Sequence, residues 1–174
     1  MLEIFTPNQY IKNYNELDIK GLKQQGIKLL ICDIDNTLVA HDEAHPNADV
    51  YRFVDKVINS GLKFCFISNN SKERVELFAK SLKVKTYHFA KKPLKITYRK
   101  ILKDYGLNAN QVACIGDQIM TDVLGGNRMK IYTILTAPLV LRDITSTKVN
   151  RVFENQVFKQ LERKGILKRG EFDE

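Results

Sequence analysis

Four short apolar runs, each broken off by polar residues, restrict this chain more than any other feature: KLLICDID (28–35), KFCFISNN (63–70), QVACIGDQ (111–118) and KIYTILTA (130–137). A strand with apolar side chains at successive positions has to be covered on both faces, so the runs predict a sheet buried between two layers. Helical spacing in the intervening segments supplies those layers. The apolar positions are Val50, Phe53, Val54, Val57 and Ile58, then Val75, Phe78, Ala79 and Leu82, then Leu94, Tyr98, Ile101, Leu102 and Tyr105. Two of the helices are expected to stop at Gly-Leu, in NSGLKF and DYGLNA, where glycine takes the left-handed conformation and leucine folds back on the last turn. Strand and helix in alternation predict an α/β fold, a three-layer sandwich around a mainly parallel sheet.

A length of 174 residues suits one domain over 1–174. The first 27 residues show no motif, although GLKQQG reads as a short helix leading into the first strand. After about residue 143 the chain turns basic and amphipathic. There RVFENQVFKQLERKGIL predicts a helix over about 148–164, with Val152, Phe153, Val157 and Leu161 on the face that meets the sheet or a partner. A composition of 44% hydrophobic and 28% charged residues excludes a disordered chain. No stretch reaches the roughly 18 apolar residues of a membrane span, and the start MLEIFTPNQY lacks a basic-then-apolar leader, so no transmembrane segment and a cytoplasmic location are expected. Cys32, Cys65 and Cys114 each sit in an apolar run, as buried thiols do, and no CxxC pattern supports a metal cluster. The formal charge of +8 would draw nucleic acid, anionic lipid or a phosphorylated small molecule alike. No aromatic-rich RNA-binding signature accompanies it, which argues against nucleic acid.

In open parallel sheets, ligands bind just beyond the carboxyl ends of the strands. The polar residues there are Asp33 and Asp35 after the first run, Ser68, Asn69 and Asn70 after the second, and Asp117 after the third. On this reading Asp33, Asp35, Asp117 and Asp122 converge. Two carboxylates about 4 Å apart repel by roughly 4 kcal/mol at an effective dielectric near 20, so a cation is required. Magnesium suits such oxygen ligands together with a substrate phosphate, and Lys92 adds positive charge. Asp33 then attacks phosphorus while Asp35 handles the leaving group's proton. Thr37, Ser68, Asn69 and loop amides hold the phosphoryl oxygens, and Lys92 stabilises the transition state. Lys92 is preferred to Lys91 because it precedes Pro93. Blander roles compete: Ser68 and Asn69 as a helix cap before SKERVELF, Asp122 in a helix first turn, Asn127 at a helix stop in GGNR, and His41 and His45 as solvated flap residues.

The same residues resemble a known family. DIDNTL (33–38) resembles the DxDx[TV] nucleophile motif of the haloacid dehalogenase superfamily, Ser68 in FISNN its second motif, Lys92 in KKP its third, and GDQIMTD (116–122) its fourth. The motifs occur in the family's order over about residues 28–135. The resemblance implies a Rossmannoid sheet, Asp33 as nucleophile, Asp35 as acid/base, magnesium held by Asp33, the Asp35 carbonyl and Asp117, and Asp122 orienting Lys92 or supporting the metal. An aspartate two residues after the nucleophile resembles the superfamily's phosphatases. The segments GIKLLICDIDNTL, FAKKP and GDQIMTDVLGGNR resemble more finely the YqeG-type group of subfamily IIIA, related to mitochondrial phosphatidylglycerophosphatase.

In this superfamily a cap domain is inserted after the first motif or between the second and third. Here each interval, from Asp35 to Ser68 and from Ser68 to Lys92, holds little more than one helix and its loops. The protein therefore reads as capless, with LVAHDEAHPN (38–47) as the only flap. An open site leaves enclosure to the substrate or to a surface. That favours a phosphorylated lipid at the inner face of an anionic membrane, where each Lys or Arg contributes about 1 kcal/mol. The rival expectations are a soluble sugar- or nucleotide-phosphate phosphatase and a noncatalytic basic RNA-binding or interaction protein. The sequence carries no signal for an oligomeric state.

Overall fold

Every residue of β2 (Leu29–Cys32) and β5 (Val112–Gly116) is buried, as continuous apolar runs require of strands covered on both faces. The computed structural model describes residues 2–139 and 148–168, the latter with side chains from residue 154. Around that central pair stand β1 (Gln9–Ile11), β3 (Lys63–Ile67), β4 (Lys85–Tyr87) and β6 (Tyr132–Thr136), all parallel, in the order β1-β6-β5-β2-β3-β4. The helices are α1 (Ile19–Gln24), α2 (Ala48–Asn59), α3 (Lys72–Ala79), α4 (Lys95–Tyr105), α5 (Leu124–Arg128) and α6 (Lys148–Arg163).

Side-chain alternation divides the core between two faces. Leu30, Cys32, Phe64, Phe66, Ala113 and Ile115 meet Phe53, Val54 and Val57 of α2 and Val75 and Phe78 of α3. Their neighbours Leu29, Ile31, Cys65, Val112 and Cys114 meet Tyr98 and Ile101 of α4 on the opposite side. On the first face, edge-to-face ring contacts run from Phe53 through Phe64 and Phe66 to Phe78, with centroid separations of 6.2, 5.0 and 5.7 Å. All three cysteines are free and buried. The expected Gly-Leu stops are present: Gly61 and Gly106 have φ of 90° and 63°. Leu107 N–H then donates to Leu102 O at 3.0 Å, closing the turn.

The differences from the sequence reading lie at edges. Strands β1 and β4 are three residues each and carry no apolar run, so only their pairing partners reveal them. Tyr10 and Ile11 join β6 through Leu135 and Thr136, while the Asn8 carboxamide accepts from Thr133 N–H at 2.8 Å. Ile58, one step past Val57, falls at the margin of its stripe and is exposed; Leu94 is exposed as the residue preceding α4. Leu82 lies in the turn after α3. Asn127 sits within α5, and its amide donates to the carbonyls of Ile4 and Thr6 at 2.9 Å each, tying down the N-terminal segment. Helix α6 packs Val157, Phe158 and Leu161 onto Ile119, Val123 and Leu135, so this part of its apolar face is occupied within the molecule. The side chains of Val152 and Phe153 lie outside the described residues.

The winding decides where a site can form. From β2 the chain moves outward through β3 to β4, then returns to the other side of β2 to lay down β5 and β6. The carboxyl ends of β2 and β5 thus flank the point where the strand order reverses, which opens a crevice there.

Gly126 marks the tightest helix–sheet approach. An added Cβ would lie 2.5 Å from Thr133 Cγ2 and 2.6 Å from Cys114 Sγ. Gly126→Ala is expected to lower unfolding free energy by about 1–3 kcal/mol, read as a lower denaturant midpoint at unchanged slope.

Candidate active site

Three buried carboxylates meet at that crevice. Asp33 follows the last residue of β2, and its N–H still pairs with Ile115 O at 3.0 Å, so the side chain emerges where the sheet ends. Asp117 follows Gly116 at the end of β5. The chain then makes a π turn, Ile119–Val123, that carries Asp122 back over the strand end. Gly116 makes room for it, since a Cβ there would lie 2.2 Å from the Asp122 carboxyl carbon. One oxygen from each of Asp33, Asp117 and Asp122 lies within 4.8 Å of the others. Helix α6 supports the turn through Glu154, whose carboxylate accepts from Ile119 N–H at 3.2 Å.

Lys92 holds the cluster together. Its ammonium stands 2.7 Å from Asp33 Oδ1 and 2.6 Å from Asp122 Oδ1, and all three groups are buried. Burial by itself would lower the Lys92 pKa, but the Asp122 and Asp33 carboxylates outweigh it and hold the ammonium charged well above the usual range. Asp33 responds oppositely: burial pushes its carboxyl up from 3.8 to about 7, with Lys92 opposing and the Asp122 charge adding to the rise. The Thr37 hydroxyl lies 3.4 Å from both Asp33 Oδ2 and Asp117 Oδ1, and its single proton serves one of them at a time.

The donor set fits a divalent, oxygen-preferring cation, because the three acids outnumber the one lysine and leave net negative charge in a buried cluster. Asp122 is already engaged by Lys92, by Gln118 N–H at 3.3 Å and by the Thr121 hydroxyl at 3.2 Å. Asp33 and Asp117, at the ends of β2 and β5, could hold such an ion, with Asp122 behind them.

Other expected site residues are placed differently. Asp35 does not join the cluster; it sits by the Asp35–Val39 bridge, where the chain has turned toward α3. Its carboxylate is met by Arg74 Nη2 at 2.9 Å and Asn70 Nδ2 at 3.4 Å, with His41 Nδ1 at 3.9 Å. The expectation that four acids converge is corrected to three. Asn69 does not face the carboxylates either: its amide donates to Lys92 O at 3.2 Å and accepts from Lys92 N–H at 2.6 Å, clasping the peptide of the lysine. Ser68 is buried beside β3, and its hydroxyl accepts from Asn70 N–H at 3.0 Å. The cap of α3 is Ser71, which accepts from Arg74 N–H, and not Ser68 or Asn69. His45 is exposed, whereas His41 folds toward Asp35. Arg74 and the clasping role of Asn69 escaped the sequence reading. The available signal was position, since both follow β3 at the end of the sheet where the motifs lie. A cavity of about 520 Å³ lined by Gln25, Asn110 and Tyr132, among others, lies at the amino ends of the strands. It holds no such cluster, and buried charge rather than cavity size marks the chemistry.

A family described as HAD-hydrolase-like matches residues 89–151. The chain is similar to the probable phosphatase YqeG of Bacillus subtilis, with 33% identity over 165 residues that span 95% of this chain and 96% of the relative. It is also 25% identical over 143 residues to the phosphatidylglycerophosphate phosphatase 1, chloroplastic/mitochondrial, of Arabidopsis thaliana, covering 76% of this chain but 41% of that one. In fold it is similar to an uncharacterized protein from Listeria monocytogenes, with a TM-score of 0.55 at 15% identity over 70% of this chain and 87% of that one. It is likewise similar to the 3-deoxy-D-manno-octulosonate 8-phosphate phosphatase of Yersinia pestis, with a TM-score of 0.50 at 18% identity over 67% and 76% of the two chains. The chain belongs to the haloacid dehalogenase superfamily, among its phosphatases, in the family of the YqeG protein.

Two outcomes follow from the site. A carboxyl whose pKa is raised on folding contributes stability that is present below 3.8 and lost as pH rises through about 7. Metal-free Asp33→Asn is therefore expected to melt higher than the parent at pH 8 and to lose that advantage toward pH 4, while magnesium raises the melting temperature of the parent more than that of the variant; thermal scans across pH test this. For Asn69→Ala, loss of the clasp on Lys92 is expected to lower kcat about tenfold with little change in KM, measured by steady-state phosphate release.

Proposed function

We propose that this protein is a magnesium-dependent phosphomonoester hydrolase working through an aspartyl-phosphate on Asp33. The observation that carries the reading is the buried Lys92 ammonium bridging Asp33 and Asp122, with Asp117 within reach of both acids. Lys92 supports Asp33 at Oδ1, which leaves Oδ2, 3.4 Å from the Thr37 hydroxyl, as the attacking oxygen. Asp33 attacks phosphorus, the ester P–O bond breaks, and the leaving oxygen takes a proton from Asp35, which has to turn from Arg74 toward the cleft. Asp35 then accepts a proton from water as that water attacks the aspartyl-phosphate, releasing inorganic phosphate and restoring Asp33. Ser68, the loop amides and Thr37 serve the phosphoryl oxygens, and Asn69 fixes the backbone of Lys92. When bound at Asp33 and Asp117, with the Asp35 carbonyl, magnesium supplies charge stabilisation for the transferring phosphoryl group.

The substrate reading is a phosphorylated lipid head group, such as phosphatidylglycerophosphate, met by a peripheral protein at the inner face of the membrane. Three facts support it. The interval from Asp35 to Ser68 holds one flap and α2, and that from Ser68 to Lys92 holds α3 and β4, so neither supplies a cap to enclose a small metabolite. The formal charge of +8 favours an anionic surface. The plant relative is named for that lipid.

Purified protein with magnesium is expected to release phosphate from phosphatidylglycerophosphate in mixed micelles, faster than from sugar or nucleotide monophosphates. Asp33→Asn should abolish release while keeping a native circular dichroism spectrum. Ready turnover of the soluble esters with none of the lipid would reverse the substrate reading and keep the chemistry.

A further inference from the structure

The segment that delivers Lys92 to the carboxylates also carries the most exposed large apolar side chains among the described residues. Phe89 is 57% exposed, Leu94 44% and Ile96 67%, whereas Ala90, Lys92 and Tyr98 of the same stretch are buried. Residues 88–100, HFAKKPLKITYRK, contain five lysines and arginines and no acid. Lys91 and Arg99 are exposed and Lys95 is half-buried. The segment is also pinned to the site. Phe89 N–H donates to Asn70 O and Ala90 N–H to Ser68 O, each at 3.0 Å, and Asn69 clasps the Lys92 peptide. Phe89 and Lys91 are held at φ of 44° and 54°, a conformation most side chains avoid, so the outward course of this loop is imposed by its anchors.

We propose that Phe89, Leu94 and Ile96, flanked by Lys91, Lys95 and Arg99, form a docking surface for an anionic lipid bilayer that sets the catalytic crevice against the membrane. Bare apolar side chains interleaved with basic ones match the boundary between lipid phosphates and acyl chains. Lysine stems lie along the apolar zone while their ammonium groups stay at the level of the anionic head groups. A protein interface is less well matched, because lysine is depleted there, and an RNA strand offers nothing to isoleucine and leucine. Each apolar residue is within about 15 Å of chain from Lys92, so a docked bilayer presents its head groups at the site. The surface gives a capless enzyme the enclosure that its own chain does not supply. The inference rests on the lipid reading above, and its test keeps the two separable.

The test is co-sedimentation of the whole protein with vesicles that contain no phosphomonoester lipid: phosphatidylglycerol mixed with phosphatidylcholine, against phosphatidylcholine alone. The parent is expected to bind the anionic vesicles in a salt-sensitive manner and the neutral ones at least about tenfold more weakly. The variant Phe89→Asn, Leu94→Ser, Ile96→Gln is expected to lose about tenfold in affinity for the anionic vesicles, with asparagine chosen to tolerate the positive φ and serine to suit the cap position. Melting temperature shows that the variant is folded, and its hydrolysis of p-nitrophenyl phosphate is expected to stay within about twofold of the parent. Equal binding of parent and variant, equal binding to both vesicle types, or preference for single-stranded RNA over vesicles would each overturn the docking surface. Vesicle binding without phosphate release from the lipid would uphold the surface and defeat the substrate reading; release from micelles without vesicle binding would do the reverse.

Discussion

One ammonium among three buried carboxylates is the constraint around which the rest of this structure is arranged. Burial of these acids favours protonation and their mutual repulsion adds to it, which pushes the Asp33 carboxyl up to about 7. Lys92 offsets part of that cost through contacts to Asp33 and Asp122 and leaves the remainder for a cation. Stability and chemistry therefore oppose each other at this point. A cluster neutralised in full by the protein would fold more easily and would have nothing left to offer a metal or a phosphate.

The scaffold tolerates that cost because many well-satisfied contacts surround it. Two apolar faces cover β2 and β5, and Gly116 lets Asp122 close over the strand end. The π turn depends in part on α6, through Glu154 and the packing of Leu161 near Ile119 and Val123. The C-terminal helix is thus a buttress of the acidic cluster, a role that its basic and amphipathic sequence does not announce.

Asp35 and Asn69 show how the same strand ends serve different tasks. Asp33 stays in the crevice because its N–H is still in the ladder, while Asp35 has entered the loop and is claimed by Arg74. Asn69 uses both ends of its amide on the lysine peptide, and so acts on the acidic cluster through the placement of Lys92.

The local pattern of the sequence was enough to predict the parallel sheet, the helices on its two faces, the Gly-Leu stops and the acids at the strand ends, because burial on both faces and helical periodicity are written in neighbouring residues. Edge strands β1 and β4 were not legible, since three residues with mixed polarity are strands only by virtue of their partners. That Asp35 is not among the converging acids was decided by tertiary structure. That Asp122 reaches Asp33 while Asp35 turns to Arg74 depends on a π turn and on a helix from another part of the chain. A sequence specifies its local periods strongly; distances across a crevice come from the packing of segments far apart in the chain, and there residue types alone do not determine the partner.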